Sequence, residues 1–267
     1  MRQGHVQTAG ARLFWREDPG PTPDAPALLL LNSLAADHSM WDGQVALLTR
    51  RYRLIRYDTR GHGRSEAPEA EYSFAMLVGD AVAVLDAVGA ARASVMGLSL
   101  GGMTALGLAI YHSSQVERLV CCDARADAPE PFVRSWDERL AALRAGGMQA
   151  LLPGTLERWL NAGFRAASPA EVERVSEMIL ATPPAGYAGC AAALKRLDYL
   201  RDLHRIAVPA LFVCGAEDAA APPAVMREMA ERTPGAQFAE VPRAAHLPNI
   251  DNADGFAEAV SDFLGLR

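Results

Sequence analysis

The stretch that decides the fold is Ala93-Ser94-Val95-Met96-Gly97-Leu98-Ser99-Leu100-Gly101-Gly102-Met103-Thr104. Ala93 to Leu98 is a short, nearly continuous apolar run, the pattern of a strand buried on both faces. From Leu100 to Tyr111 the pattern turns helical. The junction, Gly97-Leu98-Ser99-Leu100-Gly101, matches G-x-S-x-G. Taken alone the match says little, since background Gly and Ser frequencies produce it in roughly one chain in ten of this length. Its place between a strand and a helix makes it informative. A serine on that sharp turn takes strained backbone angles, and the residues two before and two after it crowd neighbouring backbone, with no room for a Cβ atom. Gly97 and Gly101 meet that demand, and Gly102 helps the helix pack. Ser99 also stands at a helix N-terminus, whose positive dipole end favours developing negative charge. The competing reading is a Gly-rich turn with an incidental serine.

Outward from this turn, apolar runs alternate with helical patterns. Strands are expected at His5 to Ala9 and Ala11 to Glu17 (a hairpin around Gly10), Ala27 to Asn32, Tyr52 to Tyr57 and Val116 to Cys122. Helices are expected at Ser39 to Arg50, Ser73 to Val88 and Leu100 to Tyr111. Such alternation builds a mostly parallel, doubly wound sheet, with the active site at the carboxyl ends of the strands. The rhythm breaks from about Pro129 to Leu203. Four helices are expected there, at Phe132 to Ala145, Leu156 to Phe164, Pro169 to Ala181 and Tyr187 to Leu197. Gly146-Gly147, Pro153-Gly154, Ser168-Pro169 and Pro183-Pro184 are read as the breaks. The pattern resumes with strands at Ala210 to Cys214 and Gln237 to Val241, and helices near Pro223 to Thr233 and Asp254 to Leu264. The organisation is therefore an α/β core of residues 1–123 and 206–267, with a helical lid inserted at 124–205.

A serine hydroxyl needs a general base. Where a G-x-S-x-G turn carries the nucleophile, the partners follow in the order Ser, Asp or Glu, His. His246, in Arg243-Ala244-Ala245-His246-Leu247-Pro248, opens after the last strand and is the expected base; His204, just before a strand, reads as surface. Asp218, in the turn Cys214-Gly215-Ala216-Glu217-Asp218, is the expected acid, which holds the imidazole tautomer and stabilises the imidazolium. Glu217 is its neighbouring rival. Asp123, after the strand ending at Cys122, is a more distant rival whose plainer reading is a cap for the segment that follows. The oxyanion of acyl transfer needs backbone N–H donors. Leu100, next to the nucleophile, supplies one. Leu34, in Asn32-Ser33-Leu34 after an early strand, supplies the other.

Composition narrows the partners. Hydrophobic residues make up 50% and charged residues 22%, as in ordinary globular domains. A formal charge of −6 gives no electrostatic basis for binding nucleic acid or anionic membranes, so the expected partner is a small-molecule substrate. Met1-Arg2-Gln3-Gly4-His5 begins no apolar h-region and no run is long enough to span a bilayer, so a cytoplasmic protein is expected. Cys121, Cys122, Cys190 and Cys214 show no ligand spacing and read as reduced core thiols. The six histidines show no metal spacing, and neither a metal nor an organic cofactor is expected.

Asp58-Thr59-Arg60-Gly61-His62-Gly63-Arg64-Ser65 is the D-x-R-G-x-G-x-S turn of many α/β-hydrolases, in which the histidine is structural. More narrowly, the chain resembles the 3-oxoadipate enol-lactonases of aromatic catabolism. The matching stretches are Leu31-Asn32-Ser33-Leu34, Met40-Trp41-Asp42, Arg56-Tyr57-Asp58-Thr59-Arg60-Gly61-His62-Gly63, Gly97-Leu98-Ser99, Trp136-Asp137-Glu138-Arg139, Leu156-Glu157-Arg158-Trp159, Gly186-Tyr187-Ala188-Gly189-Cys190 and Ala245-His246-Leu247-Pro248-Asn249. The chain departs from that pattern at Asp123-Ala124, where Asn-Thr is expected, and at Ala219-Ala220-Ala221, which lacks the usual Thr. The resemblance implies the α/β-hydrolase fold and a small lactone that carries a carboxylate. Such a substrate calls for arginine in the pocket. The lid offers Arg134, Arg139, Arg158, Arg165 and Arg196. Arg134 and Trp136 are the leading substrate contacts, although surface arginine and lid-core tryptophan are the plainer readings. Rival activities are a C–C hydrolase for meta-cleavage products, a general carboxylesterase or perhydrolase, and a signalling receptor built on the same fold.

Overall fold

The computed structural model describes residues 1–267. Its centre is the strand before Ser99, hydrogen-bonded on both sides. The strands are β1 (Arg2–Thr8), β2 (Ala11–Asp18), β3 (Ala27–Leu31), β4 (Arg53–Tyr57), β5 (Ala93–Leu98), β6 (Val116–Cys122), β7 (Ala210–Gly215) and β8 (Gln237–Val241). They form one sheet in the order β1-β2-β4-β3-β5-β6-β7-β8. β1 and β2 are an antiparallel hairpin turned at Gly10 (φ 87°), β2 pairs antiparallel with β4, and every later pairing is parallel. β3, β5 and β7 are buried along their whole length, as expected of strands covered on both faces.

The helices are α1 (Asp42–Leu48), α2 (Phe74–Ala87), α3 (Leu100–Tyr111), α4 (Glu130–Trp159), α5 (Ala162–Ala167), α6 (Pro169–Leu180), α7 (Pro184–Leu194), α8 (Pro223–Arg232), α9 (Pro248–Asp251) and α10 (Ala253–Leu264). α2 and α3 pack on each other and on the sheet, while α1 packs against α10. Four helices, α4 to α7, lie between β6 and β7. The chain enters and leaves this helical segment side by side, through an antiparallel bridge between Asp127 and Asp198 and a Tyr199 N–H to Ala126 carbonyl bond of 2.6 Å. No helix is long and apolar enough to cross a membrane.

Two expectations for the segment need correction. Pro153-Gly154 does not end a helix; α4 absorbs Pro153 at the loss of one backbone hydrogen bond. Its kink lies at Gly146 and Gly147, the latter at φ 63° and ψ −161°. Leu156 to Phe164 is not one helix either. Leu160 and Asn161 are extended, and the Asn161 side chain accepts the Phe164 N–H (2.8 Å) to start α5.

The segment seats on the core where backbones nearly touch. A Cβ on Gly186, in α7, would run into the backbone of Gly61, which is at φ 81°. Gly186→Ala is therefore expected to lower stability by about 1–3 kcal/mol through overpacking. Gly79→Ala, in α2 with open space around it, should raise stability by about 0.5–1 kcal/mol. Urea midpoints at unchanged slope measure both.

Candidate active site

At the carboxyl end of β5, Ser99 adopts φ 56° and ψ −116°, outside the ordinary regions for a residue with a side chain. The backbone fixes it there. The Ser99 N–H donates to the Cys122 carbonyl and the Met103 N–H donates to the Ser99 carbonyl, each at 2.9 Å. A Cβ on Gly97 would strike the Gly101 carbonyl, and one on Gly101 would strike the Leu31 carbonyl. The glycine spacing read from sequence thus answers backbone crowding on two sides.

His246 stands in the loop after β8, with Nε2 2.9 Å from Ser99 Oγ and Nδ1 2.8 Å from Asp218 Oδ2. Asp218, in the loop after β7, also accepts the Ala220 N–H at 2.7 Å through Oδ1. Burial pushes the Asp218 carboxyl up. The charge and hydrogen bond of His246, with the N–H groups of Ala220 and Ala221, outweigh burial and hold it below the usual carboxylate range. A proton on Nδ1 facing that carboxylate leaves the Nε2 lone pair toward the Ser99 hydroxyl, an arrangement able to take its proton. Glu217 and His204 are exposed and outside this constellation.

Asp123 does not cap the segment that follows. It is fully buried at φ 46°, and its Oδ1 accepts the Gly215 N–H at 2.8 Å. Its backbone turns the side chain toward the end of β7, away from the N–H groups of the next helix.

Leu34 and Leu100 present the two expected N–H groups. Leu100 opens α3, where the first N–H groups have no intrahelical acceptor. Leu34 lines the cavity beside Ser99, and its N–H has no partner within the chain. Its neighbours are pinned. Asn32 Nδ2 donates to the Tyr57 carbonyl at 2.7 Å, and the Ala35 N–H, at φ 61°, donates to His62 Nε2 at 2.9 Å. An acceptor Nε2 makes Nδ1 the protonated nitrogen of His62, bonded to the Arg60 carbonyl at 3.1 Å. His62 is thus a neutral prop beneath the Leu34 loop, and its pKa is depressed by burial.

The cavity over Ser99 and His246 measures about 410 Å³. Its far wall comes from α4 and α7: Phe132, Trp136, Arg139, Arg158, Trp159 and Tyr187. Trp136 is there, as expected. Arg134 is not. It lies on the exposed side of α4 beside Glu130, because two residues along a helix turn a side chain about 200° from Phe132. Arg196 is likewise exposed and paired with Glu71. Arg139 stacks over the Trp136 ring, 4.3 Å from its centre, and Arg158 reaches the Thr155 hydroxyl at 3.3 Å; neither has an acidic partner. Burial and then Arg139 lower the Arg158 pKa to about 10, and burial lowers that of Arg139. Arg125, not singled out from sequence, also lines the cavity, with its Nε buried and unpartnered. Its place directly past the end of β6, on the catalytic edge, was the available signal. Asp37, His38 and Asp58 form a second acidic cluster, but Asp58 already accepts from His38 and from the Arg64 N–H.

The family described as having the alpha/beta hydrolase fold matches residues 26–253. The chain is 33% identical over 237 residues to 3-oxoadipate enol-lactonase 2 of Acinetobacter baylyi, covering 89% of this chain and 88% of that protein. Among solved structures it is similar to the enol-lactonase from Burkholderia xenovorans LB400, with a TM-score of 0.94 at 38% identity, covering 98% of this chain and 100% of that one. It is also similar to a malate-bound thermophilic esterase from Thermogutta terrifontis, with a TM-score of 0.91 at 25% identity, covering 99% and 98%.

His62 yields a pH prediction. Its folded pKa lies below the unfolded value, so the unfolded chain binds more protons in acid. The stability this contributes is present above about pH 6.5 and is lost as pH falls from there through the folded pKa. Melting temperature measured from pH 7.5 downward should fall less steeply in His62→Gln than in the wild type. Equal slopes would show that His62 stays uncoupled from folding.

Proposed function

Because the chain belongs to the α/β-hydrolase family and is an ester-hydrolysing enzyme, we propose that it is a serine hydrolase acting on a small carboxylate-bearing lactone or ester, foremost 3-oxoadipate enol-lactone. The observation that carries this is the pair Arg139 and Arg158, two half-buried guanidinium groups on the cavity wall, neither in an ion pair with an acid. Partly desolvated cations without a counter-charge are unfavourable, and a bound carboxylate would offset that. A cavity of about 410 Å³ suits a small ligand, and Trp136 and Phe132 give its ring an apolar wall. The names of the Acinetobacter and Burkholderia relatives support the lactone and with it a role in aromatic catabolism. The Thermogutta esterase structure, which has malate bound, is in keeping with a carboxylate ligand.

In this mechanism His246 Nε2 takes the proton of Ser99 Oγ as Oγ attacks the lactone carbonyl. Asp218 stabilises the imidazolium that results. The N–H groups of Leu34 and Leu100 hold the tetrahedral oxyanion, each worth roughly 3 kcal/mol at the transition state. Collapse of the intermediate breaks the ring C–O bond, and the leaving enol oxygen takes the proton from His246. A water molecule, deprotonated by His246, then attacks the acyl-enzyme and releases Ser99. The helices between β6 and β7 serve as the lid that supplies the arginines and keeps bulk water out.

A fluorophosphonate probe should label the wild type and leave Ser99→Ala unlabelled, with kcat/KM reduced at least about 10⁴-fold. Arg139→Ala and Arg158→Ala should each raise KM for a carboxylate-bearing enol-lactone about 10- to 100-fold, the size of a lost charge-assisted hydrogen bond. Turnover of an uncharged p-nitrophenyl ester should change little. Labelling that persists in Ser99→Ala would overturn the nucleophile, and equal losses on both substrates would overturn the carboxylate subsite.

A further inference from the structure

Beside the acid of the site, at the cavity lining, lies a second carboxyl that the mechanism above does not use. Asp123 is 0% exposed, and one carboxylate oxygen of it, one of Asp218 and one ring nitrogen of His246 lie within 4.8 Å of one another. The groups facing it are Asp218 and His246 from the loops after β7 and β8, Asp251 from α9, and the thiols of Cys121, Cys122 and Cys214 from β6 and β7. His246 is the only one of these that can carry positive charge. Two buried carboxylates this close cannot both be ionised at low cost, so one keeps its proton.

The hydrogen bonds decide which. Asp218 accepts the Ala220 N–H through Oδ1 and His246 Nδ1 through Oδ2, the environment of a carboxylate. Asp123 accepts one N–H, from Gly215, through Oδ1; its buried Oδ2 has no donor pointed at it. A carboxylate there would leave an anionic oxygen unsatisfied. A carboxylic acid has an O–H to give, and the acceptor nearest in kind is the Asp218 carboxylate, in the same cluster of ligand atoms within 4.8 Å of one another. Burial and then the Asp218 charge push the Asp123 carboxyl well above the usual carboxylate range.

We infer that Asp123 is a positioning residue: its neutral carboxyl donates an O–H hydrogen bond to Asp218 and fixes that carboxylate against His246. The inference rests on the reading of Ser99, His246 and Asp218 as nucleophile, base and acid. It also accounts for the positive φ at Asp123, which swings the side chain back across the end of β7 instead of along the chain.

Three measurements test it. First, the infrared difference spectrum of wild type minus Asp123→Asn should contain the carbonyl stretch of a protonated carboxylic acid. Second, Asp123→Asn supplies an N–H in place of the O–H, so kcat should stay within about 3-fold and the acid limb of kcat/KM against pH should not move. An ionised Asp123 would instead lower that limb by about one pH unit on replacement, because a negative charge beside the imidazolium is removed. Third, Asp123→Ala should lower kcat about 10-fold with KM nearly unchanged, the size of one lost hydrogen bond. Absence of the infrared band, a displaced acid limb in Asp123→Asn, or full kcat in Asp123→Ala each overturns the proposal. If the alanine variant does not fold, the band and the asparagine profile still decide it. The band reads Asp123 without turnover, so its absence leaves the Ser99 reading standing. Persistent labelling of Ser99→Ala would overturn that reading and leave the band in place.

Discussion

The arrangement depends on one close approach of backbone to backbone. The turn from β5 into α3 presses against itself at Gly97 and Gly101, and Gly101 presses against the carbonyl end of β3. No side chain fits at either point, so the turn can hold Ser99 at φ 56° only with glycines on both sides. The same contact fixes the distance between β3 and β5. It thereby sets where the loop after β3 begins and where Leu34 offers its N–H relative to Ser99. A strained residue persists when its surroundings over-determine it. Here the parallel pairing of β5 with β3 and β6 and the two hydrogen bonds of the Ser99 backbone do so.

The electrostatics of the site divide into two halves. On the core side, acids and imidazoles have settled their protons by hydrogen bonding. Asp218 is tied to His246 and to backbone N–H groups, and His62 is held neutral by the Ala35 N–H. On the α4 side the charge is unsettled, since Arg139 and Arg158 stand half-buried near each other with no ion-paired acid. The first half is largely hydrogen-bonded within the chain. The second has cationic donors with no acceptor from the chain itself. This asymmetry separates the chemistry of acyl transfer, common to many sites on this fold, from the recognition that distinguishes one substrate from another.

What was legible in the sequence follows the same division. The strands and the positions of Ser99, Asp218 and His246 could be read because each lies where an apolar run gives way to a turn, and that boundary is written in local residue types. Lid details were harder. Arg134 and Arg139 both sit on one helix in a stretch rich in charge, and only the helical phase set by Phe132 and Trp136 tells which of them faces inward. The break at Leu160 was hidden because Asn161, which makes it, caps α5 through a contact that looks like ordinary helix sequence. Asp123 read as a cap because aspartate at the end of a strand usually is one. Its true environment is set by Gly215 and Asp218, 92 and 95 residues away, which no local pattern reports.

Asp251 shows how the two halves are joined. Its Oδ2 accepts the Ala245 N–H at 2.8 Å, next to His246, and also the Asn161 N–H at 3.0 Å, just past the end of α4. The Leu247 N–H adds a bond of 3.0 Å to the Trp159 carbonyl. The residues flanking His246 are therefore stitched to the end of the helix that carries Arg158. A carboxylate is suited to this junction because one oxygen can accept several N–H groups from different segments at once. Burial raises the Asp251 pKa, and the N–H groups of Ala245 and Asn161 hold it down in opposition. The position of the imidazole is thus tied by hydrogen bonds to the wall that would recognise the substrate. A shift of the α4 end by a few tenths of an ångström would be felt at Nε2, where a hydrogen bond of 2.9 Å to Ser99 leaves little slack.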